Sequence, residues 1–383
     1  MTAELAKETN FGAAFRSLIA GEQNAELREL REKAFASFEA NGFPTVRNED
    51  WKYTNVAPVV GGQWSVSATD NGQRITDSEV GFLSRFVSES NGFAALNLAF
   101  ADVKVVRIAK ETSLDEPIEF TFSGKDSEAT FPHVIVIAEA GSKATIVETY
   151  ASTAKSFTNA AVQVIVEDNA SVTHYRVQKD SPEAFNYGIT EVTLGRGSSY
   201  DSTNINLGGG LSRHDIEVKF TAEGGEAWVD GLYMLNGSQH HDTHSIIDHT
   251  VPNCISHQTY KGVLNDKSRA VFNGKVFVRE NAHGTDAQQS NKNLLLSNDA
   301  RVDTKPQLEI FNDDVKCSHG ATVGQLEEEE LFYLLTRGLP ELLARNLLTY
   351  GFVEQIVNKI GIEAIKSELD AAVLNRLNVK LEV

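Results

Sequence analysis

Three hydrophobic patterns follow one another along the chain. In residues 1 to about 41, apolar positions recur every three and four. In NAELRELREKAFASFEANG, Leu27, Leu30, Ala34 and Phe38 fall on one stripe, the period of an amphipathic helix. Asn41-Gly42 and then Pro44 end it, because Gly permits a left-handed cap and Pro cannot continue a helix. The aromatic-bearing NEDWKYTNV reads as a loop or short turn, and Gly61-Gly62 as linker or irregular strand. From about residue 95 the period drops to two. HVIVIAEAG, KATIVETYA, AAVQVIVEDN, SVTHYRVQK, GITEVTLGRG and DIEVKFTAEGG are short runs between Gly, Asn and Asp turns, which predict strands. After about residue 320 helical spacing returns. QLEEEELFYLLTRGLPELLARNLLTYGFVEQIVNKIG places Phe332, Leu335, Leu339, Leu342 and Leu343 on one apolar face. Glu327 to Glu330 occupy a first turn, where the helix dipole favours negative charge. Gly338-Leu339-Pro340 divides this segment into two helices.

The strand-rich part also repeats. A small-polar tripeptide follows a turn at Ser142-Lys143-Ala144, Ala170-Ser171-Val172, Gly197-Ser198-Ser199 and Gly225-Glu226-Ala227, at spacings of 28, 27 and 28 residues. Similar units recur at Ser268-Arg269-Ala270 and Ala300-Arg301-Val302, after gaps of 43 and 32. A near-constant period predicts a β-solenoid in which each coil buries its apolar column on the next; a β-sandwich with hairpins of similar length is the alternative. The long gap predicts a coil with a surface insertion of roughly 15 residues. The expected organisation is a helical region and linker over 1–94, a β core over 95–320 and a helical region over 321–383. The fold class is mainly β.

With 383 residues the chain is long enough for a large core. Its formal charge of −18 repels phosphate backbones and anionic surfaces, so neither nucleic acid nor membrane is an expected partner. The first residues carry acidic side chains and lack an apolar leader core, and no apolar run reaches spanning length. Two cysteines, Cys254 and Cys317, cannot build a disulfide framework. A reducing cytoplasmic location is therefore expected.

Candidate chemistry concentrates in two places. SQHHDTHSIIDHTVPNCISHQ, Ser238 to Gln258, holds five of the ten histidines. Imidazole and carboxylate are good ligands for zinc or iron. On an unbroken strand, however, His240, Asp242, His244 and Asp248 face one way and His241 and His249 the other. His240, His244 and His249 are therefore weak metal candidates, set against ordinary hydrogen-bonded surface histidines. In NDDVKCSHGATVG, Cys317 and His319 share a strand face. An imidazole can activate a thiol, whereas Asp313 and Asp314 oppose a further anion. A small buried Cys beside a turn-capping His is the alternative. There is no P-loop, no G-x-G-x-x-G placed between strand and helix, no H-E-x-x-H, no G-x-S-x-G and no C-x-x-C.

YKGVLNDKSRAVFNGKVFV, TDAQQSNKNLLLS, VDTKPQLEIFNDDVKCSHGATVG and LFYLLTRGLPELLARNLL, with EDWKYTN near the start, together resemble the SufB/SufD family. These are scaffold subunits of the SUF iron–sulfur cluster assembly machinery, and the resemblance is to the SufD branch. It is dense from about Tyr260 to Phe352. It implies a right-handed parallel β-helix flanked by helices and a role as a scaffold rather than an enzyme. It also implies pairing with the paralogue SufB and docking of the ATPase SufC by the C-terminal helices. Phe332, Tyr333, Leu335 and Arg337 are the SufC-binding candidates, a mixture suited to an interface anchor. The family's KCSHG element, Lys316 to Gly320, implies that His319, with Cys317 as companion, faces SufB where a cluster forms. SufB-like chains carry a cysteine at or near the position of Asn291, so this chain lacks that thiol. No cofactor is expected in the isolated subunit; a transient iron–sulfur cluster and reduced flavin are expected of the complex. Without SufB, a second copy is expected on the same edge, giving a homodimer. Two rival readings are a polysaccharide-active β-helix enzyme, disfavoured by scattered acidic residues, and a free-standing metalloenzyme using the histidine stretch.

Overall fold

The computed structural model of the protein describes residues 11–66, 76–86 and 91–376. Residues 1–10, on which the expectation of no leader largely rests, lie outside the described residues, as does the start of the N-terminal helical segment. Within that segment two helices form, Phe11–Gly21 and Ala25–Asn41. Asn24 caps the second by accepting from the Leu27 amide, and Gly42 closes it at φ 65°. A 3₁₀ turn, Glu49–Trp51, occupies the aromatic stretch, and a short helix, Ala57–Val60, precedes Gly61-Gly62.

From Asp102 onward the chain winds as a parallel β-solenoid whose strands, joined by the short strand Ser65–Val66, form two sheets, one of ten strands and one of eight. The eight-stranded sheet stacks Lys143, Ser171, Ser199, Glu226, Ile255, Asp286 and Lys316 in register, 27 to 31 residues apart. Two residues before each of the first six, Gly141, Asn169, Gly197, Gly224, Asn253 and Gly284 take positive φ values between 56° and 77°. That left-handed corner costs least for Gly and Asn, which is why the turn signal recurs. The corners bond to one another, as in Asn169 N to Arg196 O at 2.8 Å.

This register removes the expected insertion. Arg269 and Arg301 belong to the ten-stranded sheet, where they align with His240 and with each other. The 43-residue interval therefore joins a unit of one sheet to a unit of the other. The next member of the first series after Glu226 is Ile255. The histidine stretch is a regular coil, with strands His240–His249 and Ile255–Leu264 paired along their lengths on both sides.

Three apolar layers result. Inside the solenoid, Ile146, Val172, Tyr200, Val229, Phe220, Phe272 and their neighbours form a continuous column. On the outer face of the ten-stranded sheet, the N-terminal helices and Gly92–Phe100 bury Phe93 and Phe100 against Phe131, Ile135, Phe157 and Tyr187. The strand Pro132–Ala138 is consequently buried on both faces. On the outer face of the other sheet, Val353, Ile356, Val357, Leu369 and Val373 cover Val147, Tyr175, Ile205, Leu232 and Val263. These last contacts belong to helices Glu341–Val357 and Glu363–Arg376, with Lys359 paired to Asp230 and Lys261 donating to the Phe352 carbonyl. Among the described residues, no helix is long and apolar enough to cross a membrane.

Candidate functional site

The last coil is the least finished part of the molecule. Strands Arg301–Ile310 and Val315–Gly324 each end their sheet, so each leaves a row of unpaired backbone groups. Their inward positions continue the interior column: Val302 stands over Ala270, Thr304 over Phe272, Cys317 over Ala287 and His319 over Gln289. One coil earlier those positions are buried; here Cys317 is half-buried and His319 exposed. Ile310, Phe311 and Val323 are 41%, 55% and 47% exposed. The end of the solenoid is thus a cut section through a core.

Cys317 and His319 share a strand face, as their spacing predicts. Burial, followed by the charge of Asp286, pushes the Cys317 thiol up, which favours the neutral form over an activated thiolate. Asn291 lies one coil back, fully buried. It donates to Tyr233 Oη at 3.1 Å and accepts from Asn293 at 2.7 Å and from Thr304 at 2.8 Å. Tyr233 donates to Asn293 at 2.5 Å and closes the ring of bonds. Its environment is that of a satisfied core amide.

The histidine stretch has a different purpose from the one its composition advertises. His241 and His249 are inside the solenoid rather than on its surface. His241 bonds Ser212 and Thr243 at 2.8 and 3.0 Å, and burial lowers its pKa to about 3. His249 stacks on Phe220 at 4.5 Å, bonds Ser256 at 2.8 Å and is lowered by burial to about 4. His240 and His244 face outward, on the opposite side from His249, so the three metal candidates do not converge. Among the described residues no group of three His, Cys, Asp or Glu side chains is placed to hold a metal.

The outward residues of this coil hold down the N-terminal region instead. Thr54 donates to Asp242 at 2.5 Å and lies 3.0 Å from His240 Nε2. Arg213, from the adjacent strand, sits 3.7 Å from the Trp51 ring centroid and donates to the Asp50 carbonyl, Asp215 and Asp242 at 2.5, 2.7 and 3.1 Å. Sequence reading missed this clamp. Its signal was Arg213, Asp215 and Asp242 on outward strand positions together with the aromatic EDWKYTN, but nothing in spacing joins residues about 160 apart.

The third feature is the helix Glu328–Thr336, which has no buried residue. Phe332 is 67%, Tyr333 56% and Leu335 37% exposed. Arg337 lies over the Tyr333 ring at 5.0 Å. Leu342 and Leu347 of the next helix are also exposed. The apolar face of this segment therefore remains open instead of being consumed by packing between its two helices.

Comparison with known proteins agrees with this architecture. A family model described as SUF system FeS cluster assembly, SufBD core domain, matches residues 120–352, and one described as SufBD protein N-terminal region matches residues 9–83. The iron–sulfur cluster assembly protein SufD of Escherichia coli is 32% identical over 319 residues, covering 83% of this chain and 75% of its own. An iron–sulfur cluster assembly SufBD family protein of Synechocystis is 36% identical over 302 residues, covering 75% and 67%. One from Mycobacterium bovis is 28% identical over 375 residues, covering 90% and 92%. The chain belongs to the SufB/SufD family of iron–sulfur cluster assembly proteins and is a homologue of SufD.

Proposed function

We propose that the chain is the non-ATPase scaffold subunit of a cytoplasmic cluster-assembly complex. Its terminal coil pairs with a SufB-type paralogue, its exposed C-terminal helix docks the ATPase SufC, and nascent clusters form as cargo at the first of these interfaces. The observation that carries this reading is the unfinished last coil. A solenoid end with exposed Ile310, Phe311 and Val323 and two free strand edges needs a cover. A partner of the same fold would continue both sheets. When SufB is absent, a second copy covers the same edge and gives a two-fold dimer. Light scattering at micromolar concentration should find dimers; a strict monomer counts against the edge as a pairing surface.

His319 is the candidate cluster-facing residue. A neutral imidazole suits iron, and this one stands exposed at the edge with Cys317 beside it. His319→Ala should leave folding and assembly with co-expressed SufB and SufC intact, because the ring contributes nothing to a sealed core. It should lower cluster formation by the assembled complex, with Cys317→Ser having the smaller effect. Stoichiometry by pull-down and cluster content by absorbance separate the outcomes. A mutant complex that assembles and builds clusters at the normal rate removes the assignment.

A further inference from the structure

We infer that Thr304 and Asn291 form a tie between the two sheets that sets the spacing of the two edge strands, and that the affinity of a paired partner depends on it. Thr304 is thus a positioning residue for the terminal interface. This rests on the proposed use of the last coil as the pairing surface, and adds what holds that surface in shape.

The chain passes from one edge strand to the other at the corner of residues 311–314. On the opposite side of the coil, where strand Arg301–Ile310 begins and strand Val315–Gly324 ends, no stretch of backbone connects them. Side chains from the preceding coil take over there. Thr304 Oγ1, on the edge of the ten-stranded sheet, donates to Asn291 Oδ1, in the eight-stranded sheet, at 2.8 Å. Asn293 Nδ2 donates to the same oxygen at 2.7 Å and to the Thr322 carbonyl of the other edge strand at 3.4 Å. One amide oxygen therefore links both edges.

The hub of this tie is held in place from below. Asn291 is fully buried and Asn293 is 3% exposed. Asn291 Nδ2 donates to Tyr233 Oη at 3.1 Å, and Tyr233 Oη donates to Asn293 Oδ1 at 2.5 Å. Tyr233 stands two strands back in the same sheet. It reaches the asparagines across Gly262, where a Cβ would lie 2.1 Å from its ring and 2.5 Å from Asn293 Oδ1. Both lone pairs of Asn291 Oδ1 are used, one by Asn293 and one by Thr304. A buried network with its bonds satisfied in this way rigidifies its surroundings. A partner of the same fold must meet both free edges at once, and edges already fixed at the right separation need no ordering when it binds.

The test separates pairing from folding in the full chain. Thr304→Val keeps the shape of a half-buried side chain and removes its hydroxyl. It should weaken association, with a second copy or with purified SufB, by about tenfold, the size of one lost hydrogen bond. The urea midpoint should change little, and Thr304→Ser, which keeps the hydroxyl, should restore pairing. Amide exchange, followed at a concentration where the protein is monomeric, should be faster in Thr304→Val over residues 301–305 and 320–324 and unchanged at the corner 311–314. Wild-type affinity in Thr304→Val overturns the tie. So does a loss that Thr304→Ser fails to restore, and so does weaker pairing with unchanged exchange, which would mean that Thr304 touches the partner directly. If the wild-type chain pairs neither with itself nor with SufB, the pairing reading falls, and with it the tie's role in affinity; unchanged exchange in Thr304→Val then removes the tie itself.

Discussion

Arg213→Ala should destabilise the protein by about 3–5 kcal/mol, the range for breaking a buried ion pair from one side. Arg213 is 4% exposed and Asp242 1%. The substitution leaves the Asp242 carboxylate buried with one cationic partner fewer, and takes the guanidinium from the face of Trp51. Loss should concentrate in the N-terminal layer, because Asp50, Trp51 and Thr54 are the residues this arginine and its strand neighbours hold. Urea denaturation gives the magnitude, and hydrogen exchange gives the location as faster exchange in residues 11–66. Arg213→Lys should recover only part, since an ammonium cannot make the same fork of bonds or stack on the indole. A variant within about 1 kcal/mol of wild type would show that this ion pair is no better than an exposed one.

The pH dependence of the clamp follows from Asp242. Burial opposes its ionisation, but His244 and Arg213 outweigh burial and hold its carboxyl well below the usual carboxylate range. A carboxylate with a depressed folded pKa binds fewer protons folded than unfolded. Its contribution is complete above the unfolded value of about 3.9 and is lost as pH falls from there through the folded pKa. Without Arg213 the depression shrinks, so in Arg213→Ala this window still opens near the unfolded value but closes at a higher pH, and less stability is lost across it.

Most of the architecture was legible because solenoids write their geometry into sequence twice. Alternation marks the strands, and the left-handed corner selects Gly or Asn once per coil, as at Asn169 and Gly197. The misreading arose because both sheets begin their strands alike. Arg269 follows its corner much as Glu226 follows its own, so a jump between sheets looked like an insertion. The histidine stretch misled for a related reason. Parity separated His249 from His240 and His244, yet composition alone cannot distinguish a histidine stacked on Phe220 inside a coil from one on the surface. The clamp was illegible because its two halves are remote in sequence.

The C-terminal helices carry the other large expected effect. They divide into an anchor and a presenting element. Val353, Ile356 and Val357 are buried against the solenoid, so cutting the chain after Gly324 would uncover Ile205, Leu232 and Val263 as well as remove any docking surface. Truncation therefore cannot separate folding from binding, and surface substitution can. Phe332 and Tyr333 are 67% and 56% exposed on a helix with no buried residue, and their replacement should shift stability by no more than about 0.5 kcal/mol. In a complex, large aromatic side chains are the residues that dominate affinity, each worth 2 kcal/mol or more when central to an interface. Phe332→Asp combined with Tyr333→Ala should lower SufC affinity by at least about a hundredfold, while pairing at the other interface is unaffected because Ile310 and His319 belong to the last coil. Titration calorimetry with purified SufC measures the first effect and light scattering the second. Unchanged SufC affinity in a folded double variant would move the docking site elsewhere. The exposed Leu342 and Leu347 of the following helix would then be the next surface to substitute.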